Sequence, residues 1–152
     1  MRDDFAKVKE ILHARLSYAV SLATKDKSGE VNIAPVGSAF IASDNTFRML
    51  RGPLKQSYKN LQENQEAVFL AANISLAKWM RFFLSGKFGA SYGYRIYVRL
   101  KEEKEITDAE KQKVLKECFG FIAGLKGGRK IGSTLNKILV FEIIKIREIA
   151  PY

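Results

Sequence analysis

Apolar positions along the first half of the chain switch period repeatedly, and each switch predicts a change of element. Phe5, Val8, Ile11, Leu12 and Leu16 recur at helical spacing, with Asp3 or Asp4 able to cap the first turn. That spacing predicts an opening helix of about three turns, packed by one face. From Ser17 to Thr24 the period falls to two, with Tyr18, Val20 and Leu22 on one side, which predicts a strand. Asp26 to Gly29 reads as a turn, and Glu30 to Ala42 as a second strand paired with the first in a hairpin. Pro35 has no amide to give a ladder, so it predicts an edge, a bulge or a ligand-facing kink. Ser43 to Asn45 is a further turn, and Thr46 to Leu50 a third strand ended by Gly52 and Pro53.

Leu54 to Asn64 is polar and helical in propensity, and the apolar run Ala67 to Ala72 returns to strand. Leu76, Trp79, Met80, Phe83 and Leu84 follow at helical spacing, with Lys78, Arg81 and Lys87 interleaved. The basic, aromatic composition has a membrane-surface look, but a helix of about three turns is read first as a packed or dimer-facing one. Tyr94 to Leu100 predicts another strand. Thr107 and Glu110 have capping-box spacing and open a helix carrying Val114, Leu115, Cys118, Phe119 and Ile122 inward. Gly127 to Thr134 has the glycines and terminal hydroxyls of a P-loop, but Ser133 stands where the lysine is needed and no strand immediately precedes it. It is read as a mobile basic loop within reach of a cofactor or substrate anion. Ile138 to Ile149, rich in β-branched residues, closes the chain as a bent strand. About six strands joined by connections mostly too short for parallel crossovers predict an α+β fold, an antiparallel sheet or barrel with peripheral helices.

Composition narrows the chemistry. A chain of 152 residues is one domain's length, so residues 1–152 are read as a single unit. Cys118 and His13 are the sole cysteine and histidine, which leaves no internal disulfide and no closed zinc site. Cys118 lies on the inward stripe of its helix, where packing is the expected role. His13 lies in the opening helix, expected partly exposed, and a Cys–His nucleophile pair is disfavoured. The charged start gives no export signal and no run is long enough to span a membrane, so the expected location is the cytoplasm. The net charge of +10 favours anionic partners: nucleic acid, a membrane surface or phosphorylated small molecules.

Two segments carry the most specific signal. Ala23 to Gly37 is a strand ending in Ala-Thr, a glycine turn, then a strand with Asn32 and a kink at Pro35. Arg51 to Asn64 is a basic, hydroxyl-bearing segment containing Asn60-Leu61, followed by a core strand. In order and spacing, over roughly residues 5–72, they resemble the pyridoxamine 5'-phosphate oxidase-like FMN-binding split-barrel family. The resemblance implies an antiparallel split barrel, bound FMN, oxidoreductase chemistry on a small-molecule substrate, and a homodimer with the cofactor at the subunit interface. It places the FMN phosphate at Lys55, Gln56 and Ser57, where the short helix begins, with Arg48 and Arg51 nearby. It sets the polar edge of the flavin ring against Asn32, Ala34, Pro35, Val36 and Gly37. The physics agrees, since a helix N-terminus attracts a phosphate and glycine permits close approach.

The departures also count. Some relatives carry Lys or Thr at the position of Ser57, and Pro where Gln65 follows Asn64. The late Arg and His set of relatives that oxidise pyridoxamine phosphate is not found, so that vitamin-oxidase activity is disfavoured. Members of this type also use deazaflavin or haem, and those cofactors stay open beside FMN. The reading from a different class is a non-catalytic basic module for nucleic acid or an acidic partner. No nucleic-acid motif is evident and the aromatics fall at buried-looking positions, so nucleic acid is not the expected partner.

Overall fold

A computed structural model describes residues 2–13, 18–73, 75–87 and 92–149. In chain order the elements are α1 (Arg2–His13), β1 (Tyr18–Lys25), β2 (Val31–Pro35), β3 (Ala39–Ile41), β4 (Phe47–Leu50) and α2 (Lys55–Asn64). There follow β5 (Glu66–Asn73), α3 (Leu76–Ser85), β6 (Gly93–Glu105), α4 (Asp108–Phe119), a 3-10 turn (Gly120–Gly124), α5 (Lys126–Thr134) and β7 (Lys137–Glu148). The strands form one antiparallel sheet in the order β2-β1-β5-β6-β7-β4-β3, curled into an α+β split barrel as the sequence predicts.

The predicted strand from Glu30 to Ala42 is divided, which raises the count to seven. β2 pairs with β1, matching Asn32 to Thr24 and Pro35 to Ser21. The Val36 amide still reaches the Val20 carbonyl at 2.9 Å, and there the ladder ends. Pro35 has no amide to extend it, and Gly37 and Ser38 carry the chain across to β3 at the opposite edge. Ser38 fixes the far side, its hydroxyl donating to the Leu50 carbonyl at 3.3 Å. Three residues thus link the two edges of one sheet, which forces the sheet to curl.

Inside the curl, alternate residues of every long strand make the core. Leu22, Phe47, Phe69, Ile96 and Phe141 are fully buried, and the Phe47 and Phe69 rings meet at a centroid distance of 4.4 Å. Val8, Ile11 and Leu12 bring α1 into the same cluster at the helical spacing read from the sequence. A second, smaller core lies beneath α4: Leu50, Leu135 and Ile138 against Val114, Leu115 and Cys118. Cys118 is buried there. The capping box at the start of α4 is formed, with the Glu110 amide donating to Thr107 Oγ1 at 3.3 Å and the Thr107 amide to Glu110 Oε2 at 3.1 Å.

The segment Gly127 to Thr134, expected as a loop, is helical and belongs to α5. Glycine's weak helix propensity is overridden by packing. A Cβ at Gly132 would come within 2.8 Å of Leu115 Cδ1, so the bare backbone is what lets α5 settle on α4. α3 has none of its residues buried, so the expectation of a core-packed helix fails within this chain. The capping by Asp3 or Asp4, the exposure of His13 and the inward positions of Leu16, Tyr18 and Ile122 fall on side chains outside the described set.

Candidate functional site

Where β4 runs out into α2, the chain opens a cleft of about 480 Å³ lined by Arg51 to Lys55, Tyr58, Thr134, Asn136 and Lys137. Leu54 occupies the N-cap of α2 and supplies no side-chain cap. The Leu54 amide donates to the Gly52 carbonyl at 2.8 Å and the Tyr58 amide to the Leu54 carbonyl at 2.9 Å, so Lys55, Gln56 and Ser57 start the helix with no carbonyl of a preceding turn for their amides. The Arg51 amide donates to the Lys137 carbonyl at 2.9 Å, which brings the end of β4 and the start of β7 together at the cleft wall.

Four side chains form a fixed charge cluster at this wall. Glu103 is half-buried and receives Lys137 Nζ at 2.8 Å and Arg51 Nη1 at 3.2 Å on one carboxylate oxygen. Tyr58 donates its hydroxyl to the other oxygen. The Arg51 guanidinium lies over the Tyr58 ring, 3.6 Å from its centroid, a cation–π stack that holds the arginine flat. Burial pushes the Glu103 carboxyl up, but the hydrogen bonds from Lys137 and Tyr58 and the two cations outweigh it, and the net shift is downward. The bond to Glu103 raises Lys137. The same carboxylate, with burial, raises Tyr58. At neutral pH the carboxylate and the cations are charged and the phenol keeps its proton. Each of these shifts moves its group away from neutral pH, so the wall keeps the same charges around pH 7.

The predicted site residues divide into groups. Lys55 lines the cleft together with Arg51. Ser57 points the other way: it is buried, and its hydroxyl accepts a 2.8 Å hydrogen bond from Asn32 Nδ2. That bond ties β2 to the first turn of α2. Gln56 donates to Asn60 Oδ1 at 2.8 Å, and Asn60 donates to Thr24 Oγ1 at 3.2 Å, so a buried polar chain docks α2 on β1. Ala34 and Val36 are half-buried, and Val36 packs on the main core, while Pro35 is exposed at the sheet edge. The space beside Gly37 is taken by Phe119, whose ring would lie 2.9 Å from a Cβ placed there. Arg48 stands apart from the cleft, its guanidinium on Asp44 at 2.6 Å and on the Thr46 hydroxyl at 2.9 Å.

Tyr58, Glu103 and Lys137 are the site residues that sequence reasoning missed. Tyr58 lay within the segment singled out, and its spacing from Leu54 and Lys55 by one helical turn was an available signal. Glu103 and Lys137 gave none. They meet Arg51 only because β6 runs on beyond Leu100 to Glu105 and pairs there with the start of β7.

Among the described residues no cluster of His, Cys, Asp and Glu could hold a metal ion, and no helix is long and apolar enough to cross a membrane. No family model matches the sequence, and no curated protein does. Solved structures do match. An FMN-binding protein from Syntrophomonas wolfei superposes with a TM-score of 0.71 at 22% identity, covering 99% of this chain and 89% of that one. HutZ, a heme storage protein from Vibrio cholerae, gives 0.53 at 15% identity over 94% and 92% of the two chains. A candidate flavin reductase with a split barrel domain from Shewanella frigidimarina gives 0.50 at 12% identity over 93% and 72%. At these identities the property held in common is the split-barrel fold.

Proposed function

We propose that this chain is an FMN-binding oxidoreductase of the split-barrel type, with the flavin phosphate in the Arg51–Lys55–Lys137 cleft and the flavin ring along the end of β2. The observation that carries the reading is the charge of the cleft. Three cations set against Glu103 leave two positive charges, which suits the roughly two negative charges of a phosphate monoester. The uncapped start of α2 adds amides and the positive end of its dipole. The Asn32–Ser57 bond brings the strand expected to meet the ring beside the helix expected to hold the phosphate, so one cofactor can touch both. Backbone groups from Asn32 to Val36 would face the polar ring edge, Phe119 having taken the space beside Gly37. The bound flavin supplies the electron transfer, and the chain's part is to bind it, orient it and fix its electrostatics. The substrate is a small molecule, and the reducing cytoplasm suits a chain whose one cysteine, Cys118, is buried and in no disulfide.

A homodimer with the cofactor between copies fits the same picture. Beyond the cleft, the outer sheet face carries Val31 and Ile33 at 62% and 69% exposure, beside a groove that includes Val68, Tyr97 and Ile144. Its rim alternates in sign, with Glu66 between Lys25 at 3.9 Å and Arg99 at 3.6 Å. A surface of mixed sign can pair with its own copy across a two-fold axis.

Titration with FMN and with riboflavin tests the proposal. FMN is expected to bind with quenched or shifted fluorescence, and riboflavin, lacking the phosphate, at least about tenfold more weakly. Equal affinity for the two overturns the phosphate assignment. The heme storage neighbour makes haem the competing cofactor, and the same titration with haemin and with a deazaflavin decides, the tightest binder replacing FMN. Binding of nucleic acid that collapses with added salt, with no flavin retained, would favour the basic-module reading.

A further inference from the structure

α3 is the one described α-helix in which apolar side chains face outward in a continuous stripe. Leu76, Trp79, Met80, Phe83 and Leu84 recur at helical spacing and are 73%, 38%, 50%, 72% and 82% exposed. The helix is held by its ends. Its N-cap is Ser75, and the Gly86 amide caps it through the Phe82 carbonyl at 2.8 Å with Gly86 in the left-handed region. Trp79 meets Tyr92 edge to face at a centroid distance of 5.3 Å, and Phe82 lies edge-on to Trp79 at 6.4 Å. The helix is thus a preformed apolar ridge fastened to the barrel by an aromatic cluster.

Charge decides what can cover the ridge. The charged residues within α3 and immediately after it are Lys78, Arg81 and Lys87, all cations. Arg81 in α3 and Lys87 just beyond it are exposed. A two-fold contact centred on this helix would bring those cations against their own copies, a like-charge juxtaposition that costs affinity. The outer face at Val31 and Ile33, with its alternating rim, has no such obstacle. An aromatic, leucine-rich ridge whose own charged residues, Lys78 and Arg81, and the next one along the chain, Lys87, are all cations has the composition of a helix that lies in the interface of an anionic bilayer.

We propose that α3 docks the protein on an anionic membrane surface, with Phe83 and Leu84 inserted at the headgroup boundary and Arg81 and Lys87 on lipid phosphates. The helix lies on the bilayer and does not cross it. This inference is independent of cofactor binding at the α2 cleft.

Trp79 is the sole tryptophan, so its emission reports the ridge directly. The full chain is mixed with vesicles of phosphatidylglycerol and phosphatidylcholine, and with vesicles of phosphatidylcholine alone. Co-sedimentation and a blue shift of Trp79 emission are expected with the anionic vesicles and not with the neutral ones, and half-molar salt is expected to weaken the binding. Phe83→Ser with Leu84→Ser should reduce partitioning by about tenfold or more. Arg81→Glu with Lys87→Glu should remove the preference for anionic lipid. Both doubly substituted chains should keep wild-type circular dichroism and cofactor retention, since neither pair touches the cleft. No blue shift or co-sedimentation of the wild-type chain overturns the proposal. So does equal binding to neutral vesicles. A wild-type dimer that Phe83→Ser with Leu84→Ser converts to monomer, with no vesicle binding by either form, overturns it in favour of a contact between copies.

Discussion

Asn32 Nδ2 donates to Ser57 Oγ at 2.8 Å across 25 residues of sequence, joining the edge strand to the first turn of α2. The acceptor is buried, so removing the donor leaves a hydroxyl with its lone pairs turned into the protein. Asn32→Ala is expected to lower unfolding free energy by about 1–3 kcal/mol in urea titrations. Adding Ser57→Ala should recover part of that loss, and strictly additive effects would show that the bond is not energetically coupled. FMN affinity should fall in Asn32→Ala as the strand loosens from the helix.

Lys55 is exposed at the mouth of the cleft and contributes no core packing. Lys55→Glu is therefore expected to leave the melting temperature within a few degrees of wild type while weakening FMN binding by about tenfold or more. Riboflavin affinity should not change, because only the phosphate meets this residue. Unchanged FMN affinity would move the phosphate elsewhere and leave the fold assignment standing.

Glu103 links acid stability to the cleft. Its folded-state carboxyl lies below the ordinary value of 4.5, so its contribution is fully present above that value and fades as pH falls through the folded one. Glu103→Gln is expected to cost about 1–2 kcal/mol at pH 7, because Arg51 and Lys137 lose their counter-charge. Measured by denaturant titration from pH 7 to pH 2, the difference from wild type should shrink toward the acid end. A constant difference across that range would mean that the carboxylate charge is not the source.

The turn before β4 offers a spectroscopic check on Arg48. The Thr46 hydroxyl and amide hold the Asp44 carboxyl down to about 2, with Arg48 adding to the effect. A carbon-detected NMR titration should place the Asp44 midpoint near that value. A midpoint near the ordinary 3.8 would show the turn open in solution and Arg48 at liberty to reach another anion.

Gly93 begins β6 with φ at +148°, and a Cβ there would fall 2.1 Å from the Ala71 carbonyl oxygen. The clash is with backbone of the paired strand, which cannot rotate aside. Gly93→Ala is expected to destabilise by about 3 kcal/mol or more and to lower the melting temperature accordingly. Gly132→Ala should be milder, since the obstacle is the tip of the Leu115 side chain.

The local half of this architecture can be read from residue order, and the non-local half cannot. Asn32, Lys55 and Ser57 announce themselves because turn glycines, Pro35 and a polar helix start fall at short, diagnostic spacings. The break after Pro35 is visible as a missing donor, but β3's position at the far edge depends on β4, which pairs in turn with β7. Glu103 looks like one charge among many in a run of Lys and Glu, and only strand register makes it the counter-ion of Arg51 and Lys137. Glycines between Lys126 and Thr134 argue against a helix until Leu115 is known to need the room at Gly132. α3 was legible as amphipathic, yet its periodicity is the same whether the apolar stripe faces inward or outward.

The crossing at Gly37 and Ser38 also governs when the barrel can close. β1, β2 and β5 find one another within residues 18–73, whereas β4 pairs Phe47 with Phe141 in β7, far along the chain. A nascent polypeptide still missing β7 therefore has β3 and β4 paired only with each other, the other edge of β4 open, and leaves Arg51 without the Lys137 carbonyl. Such long-range closure makes folding slow for the chain's size and leaves apolar strand edges uncovered during synthesis. The cleft at the start of α2 can be completed only after β7 has been translated.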